Sequence, residues 1–499
     1  MMFPMTFPHG RRAHEGARPG WRPTLPRLWM LALRRRHHEE LAIVLSDFDA
    51  TERHTAELYA TAVEQLGSDQ APVRSGGLYA LERLAQDNPA HRQAIVNVIC
   101  AYLRMPFSPT APDSRPEPEA GDGQKEPGPA SETGTTGMGD TWQQERLVRL
   151  TAQRVLAEHL RDDRAKDHRS TDPPGSRFWD NIRLDLTGAT LIDFNLVNGV
   201  VADANFRRAA FSGGADFHRA EFNGDARFGQ ATFSGDASFS GAAFSGDARF
   251  SGAAFSGDAL FGGAAFSGDA NFPEAGFKGN ALFGEATFGG GAAFRKAIFG
   301  GDAEFRKVTF TGDAWFDKAT FSSVSAFGEA TFGGDAEFRK AAFTGDAWFD
   351  KASFGRGASF DRATFAGDAW FDRATFGRGA SFDRAAFAGD AWFGEATFTG
   401  DAGFGEATFG GEAWFDKATF GRGAAFGEAV FNGEAGFSKA VLSGGAWFSE
   451  ATFNAGALHF EQARILSPGA SHVWPTGWRL ADADGGGYTV VRANDDGDS

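Results

Sequence analysis

The chain has 499 residues, with 65 Asp and Glu against 49 Lys and Arg, a formal net charge of −16, 66 Gly, 52 Phe but 4 Tyr, and one Cys. So acidic a chain is a poor nonspecific nucleic-acid binder, and a lone Cys100 excludes an internal disulfide framework and fits a reducing, cytoplasmic compartment. No secretory signal is legible, and the apolar run 28–33 holds six residues, far short of the roughly 20 that cross a bilayer.

Residues 1–37 are rich in Pro and Arg (Arg11, Arg12, Arg18, Arg22, Arg27, Arg34, Arg35, Arg36) and read as a disordered basic tail able to make weak contact with an anionic membrane surface. Residues 38–105 turn helical, with Leu58, Ala62 and Leu66 and then Leu78, Leu81 and Leu84 at helical spacing. Three helices are predicted, at about 38–65, 72–86 and 89–104, with Asn88-Pro89 marking a helix start. Cys100 lies among Ile95, Val96, Val98, Ile99 and Leu103 and reads as a core thiol, with no adjacent cation or His to activate it. Residues 106–141, rich in Pro, Gly, Ser, Thr and Glu, form a flexible linker. A helix at 142–161, striped by Leu147, Leu150, Val155, Leu156 and Leu160, is expected to dock on the first helices or on the open end of the repeat region, and a hinge covers 162–180.

That repeat region, 181–460, organises the molecule. Leu186, Leu191, Leu196, Val201, Phe206 and Phe211 are spaced by five, and from Phe211 to Phe453 the steps alternate between six and five, giving 22 units of eleven residues in which every lattice position is Phe except Leu442. Ala stands two residues before nearly every lattice Phe, so Phe and Ala face inward while Gly, Asp and the charged residues face out. Glycine at every corner and the absence of a 3.6-residue stripe exclude a helix, and the corner glycines are expected to supply positive φ. Trp348, Trp370, Trp392 and Trp414 recur every 22 residues, and Lys307, Glu329, Lys351, Arg373, Glu395, Lys417 and Lys439 form a column in which each Glu lies between cations. Two units per coil are therefore predicted, about 12 coils in all, because an eleven-residue coil would stack five like charges.

Repeats with Ala two before a buried Phe or Leu resemble those of pentapeptide-repeat proteins. The resemblance implies a mainly β fold, a right-handed quadrilateral β-helix of about 22 residues per coil, preceded here by a small α-helical domain. The sixth residue in every second side departs from the family's plain five-residue period and bears on how square the coil is. The segments 62–69 and 77–85 are similar to the helical region that precedes the repeats in many actinobacterial members. Such members often carry upstream membrane helices; none is read here, so that placement does not carry over. After Phe453 the register breaks at Leu458, His459 and Phe460, and 461–499 reads as a capping hairpin turned at 482–487 with an acidic tail after it, holding Asp495, Asp496 and Asp498.

No hydrolase or transferase constellation is present; most of the eleven His lie outside the repeat, and His218 is the one in its regular section. The chain is expected to be no enzyme and to need no cofactor or metal, since the Gly-Asp pairs have the wrong period for a calcium-binding roll and lack a second acidic ligand. One outward column is acidic: Asp236, Asp258, Asn280, Asp302, Val324, Asp346, Asp368, Asp390, Glu412 and Glu434. Its plain reading is hydrogen bonding to local backbone at each corner. The functional one, implied by the resemblance, is a duplex-DNA mimic with DNA gyrase as partner. The Trp column reads either as a stacking ladder or as a partner site. Thr375, Thr397 and Thr419 form a single, interrupted column, unlike the faces of ice-binding solenoids. The function expected is a scaffold for an unknown protein partner, with Trp348, Trp370, Trp392, Trp414, Asp346, Asp368, Asp390 and Glu412 as the candidate surface; the alternative is the gyrase-directed mimic.

Overall fold

The computed structural model describes residues 50–108, 136–164, 175, 177–454, 458–483 and 487–493. The expected basic tail, most of the linker and hinge, and the acidic tail fall outside them. The chain divides into two compact units, Met1–Ala60 and Thr61–Ser499. The first contributes a single helical stretch among the described residues, and all other described residues belong to the second. Four α-helices precede the strands: α1 (Ala50–Leu66), α2 (Ala71–Asp87), α3 (Arg92–Leu103, entered through a 3₁₀ turn at Pro89–His91) and α4 (Thr136–Leu160). Helix α4 begins before the stripe predicted from Trp142.

From residue 184 to the last coil the strands are laid out by the lattice of inward Phe, preceded by Leu and Val in the lead-in. Successive coils pair as parallel strands 22 residues apart, as in Phe343↔Phe365 and Trp370↔Trp392. Each coil has four sides, which the coil starting at Ala342 illustrates: Ala342–Phe343, Ala347–Trp348, Ser353–Phe354 and Gly357–Ser359. Thirteen strands stack on the fourth of these sides. The lead-in coil is shorter, with Leu184↔Ala204 and Thr190↔Ala210 at 20 residues. A register shift between Ile192 and Phe194 marks where the extra residue first enters. Squareness survives because the extra residues go into two diagonally opposite corners. The corners after sides one and three are three-residue bends such as Thr344-Gly345-Asp346; those after sides two and four are two-residue turns such as Asp350-Lys351.

Corner glycines supply positive φ in the early coils, at Gly241 (φ 66), Gly252 (φ 62) and Gly263 (φ 63), but elsewhere the assignment differs from expectation. The left-handed residue recurs every eleven residues at the turns and is mostly a long polar residue, as at Lys340 (φ 57), Lys351 (φ 56), Arg362 (φ 56) and Arg373 (φ 58). The glycines of the Gly-Asp bends are needed for close approach instead: a Cβ on Gly367 would lie 2.8 Å from the carbonyl carbon of Gly345, and one on Gly389 2.7 Å from that of Gly367. Backbone rides on backbone there, so no side chain fits.

Inside, four apolar columns fill the square. Phe343, Phe349, Phe354 and Phe360 are all at most 1 % exposed. Rings of successive coils stack, Phe327 on Phe349 at 4.7 Å and Phe349 on Phe371 at 4.9 Å, while Phe349 meets Phe360 of its own coil edge-on at 5.3 Å and 87°. Offset stacks along the axis and edge contacts across it are the arrangements aromatic quadrupoles favour. The inward Ala residues keep the space that the rings need.

Both ends are covered. At the start, the Gln153 side chain of α4 donates to the Ile192 carbonyl (2.7 Å) and accepts from the Ile192 amide (2.9 Å), satisfying the first coil as a further strand would. Arg149, 1 % exposed, closes the C-terminus of α3 by donating to the carbonyls of Leu103 (3.0 Å) and Met105 (2.7 Å) and pairing with Glu145 (2.8 Å). His159 stacks on Trp179 at 4.0 Å, with its ring nitrogens 2.6 Å from the Arg177 carbonyl and 2.9 Å from Glu82. Cys100 is free and buried, and burial pushes its thiol pKa up to about 12. At the far end the hairpin Trp478–Asp482 and Tyr488–Arg492 extends the third side through Ile465↔Tyr488, with Trp474 and Trp478 against Phe460.

Candidate interaction surfaces

Side two places one outward residue per coil in register, and four consecutive coils put an indole there: Trp348, Trp370, Trp392 and Trp414, paired as 348↔370, 370↔392 and 392↔414. All four are half-buried. Trp348 meets Trp370 edge-on (6.1 Å, 73°) and Trp392 stacks on Trp414 (6.2 Å, 25°). The Trp414 N–H donates to Glu412 (2.9 Å), and its ring lies on the next coil at Gly436, where a Cβ would come within 2.3 Å of it. The strip is thus both self-supporting and partly open to solvent.

The acidic column runs along one edge of the strip. Where it borders the strip, the carboxylates of Asp346, Asp368 and Asp390 do not bond local backbone but reach one coil onward, while Glu412 accepts from the Trp414 indole. The amide of Asp368 donates to Asp346 Oδ1 (3.1 Å), that of Asp390 to Asp368 (2.9 Å) and that of Glu412 to Asp390 (2.8 Å). Asn280 does the same for Asp302 at 3.0 Å, so the acceptor matters and the charge does not. Val324 interrupts the column, and Asp302 instead accepts from the Ser323 hydroxyl at 2.5 Å. The neighbouring Ser325, in an inward Ala position, is fully buried with no hydrogen-bond partner for its hydroxyl. Along the other edge lie Asp350, Asp372 and Asp416 beside Lys351, Arg373, Glu395 and Lys417, around a groove of about 490 Å³. Glu395 is held below the usual carboxylate range by Lys417 and Arg373 (both 3.0 Å), whereas burial pushes Asp372 up.

Of two other columns, one was recognised from sequence only in part, at Thr375, Thr397 and Thr419, and one was missed. The outward residues of side three are Thr287, Thr309, Thr331, Ser353, Thr375, Thr397 and Thr419, an unbroken run of seven hydroxyls where interruption was expected. At the turn between sides four and one, the left-handed residues of successive coils are Lys296, Lys318, Lys340, Arg362 and Arg384. The 22-residue coil therefore also stacks five like charges. The 22-residue period is set by the strand pairing of the Phe lattice and the Trp column, and charge alternation accompanies it only at the opposite turn. Both columns become visible once every outward position is written out at a step of 22.

Among the described residues no cluster of three or more His, Cys, Asp or Glu is placed to hold a metal, and no helix is long and apolar enough to cross a membrane. Neither a curated protein sequence nor a solved structure matches the chain. Residues 200–464 match, in overlapping segments running from 200–242 to 415–464, the family described as pentapeptide repeats (9 copies). With that match covering more than half of its length, and with four-sided coils built on inward Phe and Ala, the chain belongs to the pentapeptide-repeat family.

Proposed function

We propose that the chain is a non-enzymatic, cytoplasmic scaffold that holds a partner protein along side two, through Trp348, Trp370, Trp392 and Trp414 and the carboxylates of Asp346, Asp368, Asp390 and Glu412. Membership of a repeat family whose solenoids serve protein interaction supports a binding role. The observation that carries the reading is the set of four half-buried indoles in register on consecutive coils. Indoles that keep an open face while their other side is packed are the residues from which binding hot spots are built. The test is capture from native cytosol by the full chain and by the double variant Trp370→Ser, Trp392→Ser. Loss of a captured protein with the solenoid still folded is expected. Unchanged capture with only a lower melting temperature would reduce the strip to a stabilising ladder. A gyrase-directed DNA mimic is the other reading the acidic column invites, and a supercoiling assay at micromolar protein separates it: inhibition or protection of gyrase would replace the scaffold reading.

A further inference from the structure

We infer that the cationic column at the turn between sides four and one is a docking strip for an acidic helix face of another protein, on a corner separate from the Trp strip. Lys296, Lys318, Lys340, Arg362 and Arg384 succeed one another one coil apart and are all exposed. The ends of the run are neutralised, Lys296 by Glu274 (2.9 Å) and Arg384 by Glu406 (2.7 Å). The three central cations, Lys318, Lys340 and Arg362, make no ion pair among the described residues. Carboxylates on the strip are already engaged: Asp317 by Arg295 (3.5 Å) and Arg339 (3.2 Å), Asp361 by the Ser381 hydroxyl, and Asp383 by the Gly405 amide (2.8 Å).

The opposite turn supplies an internal control. There Glu329 pairs with Lys351 (3.9 Å) and Glu395 with both Arg373 and Lys417 (3.0 Å each), so that column neutralises itself. Like charges directly opposite on paired strands are unfavourable, and an anion laid along the run removes the repulsion. Spacing then selects the anion. Four coil steps of about 4.8 Å make a strip roughly 19 Å long. An α-helix brings a new side chain to the same face about every 5.4 Å, a mismatch of about 0.6 Å per step that Lys and Arg stems absorb, and roughly 13 helical residues span the run. An extended segment repeats its face at about 6.6 Å, roughly 1.8 Å too long per step, and is about 7 Å out of step by the fifth cation, against about 2.4 Å for the helix. Single-stranded nucleic acid needs aromatic platforms, and Trp315, the indole on this stretch, is already covered by Arg295 at 4.6 Å. Side one, next to the strip, presents Ile298, Thr320, Ala342, Thr364 and Ala386, an uncharged shoulder for the helix to rest on, with Ile298 55 % exposed.

The test measures fluorescence anisotropy with the full chain and a labelled alanine-rich helical peptide of about 18 residues with Glu at i, i+4, i+7 and i+11. Three comparison probes are an isomer with the same Glu residues spread around the helix, oligothymidylate and inorganic polyphosphate. The patterned peptide is expected to bind at least about tenfold more tightly than its isomer at low salt and to weaken steeply as salt rises. The triple variant Lys318→Gln, Lys340→Gln, Arg362→Gln should lose this binding. The variant Lys307→Gln, Lys351→Gln, Lys439→Gln should keep it, both melting like the parent. Equal binding of the isomer, tighter binding of oligothymidylate or polyphosphate, or retention by the first variant would each overturn the assignment.

Discussion

An Asp at a bend of this solenoid works for the coil after its own. Asp368 Oδ1 accepts the Asp390 amide at 2.9 Å, and Asn280 fills the same role at 3.0 Å, so Asp368→Asn should leave stability nearly unchanged. Asp368→Ala strands a part-buried N–H and should cost about 1–2 kcal/mol, read as faster hydrogen exchange at the Asp390 amide. Ser325 presents the reverse case: its buried hydroxyl has no partner where the lattice elsewhere holds Ala. Ser325→Ala should therefore stabilise by about 1 kcal/mol, seen as a higher denaturation midpoint. At Asp372 burial raises the carboxyl pKa, so the folded state holds that proton more tightly than the unfolded state does. The ionised side chain then weakens the fold at neutral pH, and this penalty fades as pH falls through the raised value to the ordinary carboxylate range. Asp372→Asn keeps an acceptor for the Gly394 amide, which donates at 2.7 Å. It should melt above the parent at pH 7 and level with it near pH 3, about the pH at which an ordinary Asp is protonated in both states.

Elements differ in how openly the sequence displays them. The four sides were legible because each needs only an inward Phe or Ala at a fixed step, and Phe211 to Phe453 supplies one without a gap. The corners were read only in part: glycine has two uses, positive φ as at Gly252 and close approach as at Gly367, and sequence alone does not say which one operates at a given corner. The candidate strip was legible in outline, since a column step of 22 finds the four Trp, but the one-coil reach of the Asp residues depends on distances that no spacing reveals. The caps were foreseen as elements, but the contacts that seat the first of them were invisible for a different reason. Arg149, Gln153 and His159 look like solvated positions on an amphipathic helix, and only tertiary docking buries them, Arg149 on the end of α3, His159 against Glu82 and Trp179, and Gln153 on the first coil. Gln153 carries the clearest consequence, because both its hydrogen bonds go to Ile192. Gln153→Leu should leave those backbone groups unpaired, lower the melting temperature by an amount matching about 2–3 kcal/mol, and accelerate hydrogen exchange at Ile192 ahead of the central coils.

For the solenoid as a whole, two lengths govern different properties. Eleven residues are enough to repeat the inward lattice and one of each corner type, so the fold is built in units of eleven. Twenty-two are needed to return to the same side, so every outward column, the Trp strip and the cationic run included, is built in units of 22. Each coil contacts only its neighbours, and stability is then close to a sum of nearest-neighbour terms. Deleting residues 376–386 should therefore still give a folded solenoid with nearly unchanged β-sheet circular dichroism, while turning everything downstream by half a coil. Deleting residues 376–397 should remove one whole coil and restore alignment. Cysteines report the difference. In the intact chain positions 370 and 392 are directly paired, within the separation of about 4.4–6.8 Å that a disulfide bridges. Trp370→Cys with Trp392→Cys should cross-link on oxidation in the full chain and fail to do so after the eleven-residue deletion. Trp370→Cys with Trp414→Cys should cross-link only after the 22-residue deletion. Cross-linking of the 370 and 392 pair after loss of eleven residues would mean that the outward columns repeat at eleven, and both binding strips would dissolve with that result.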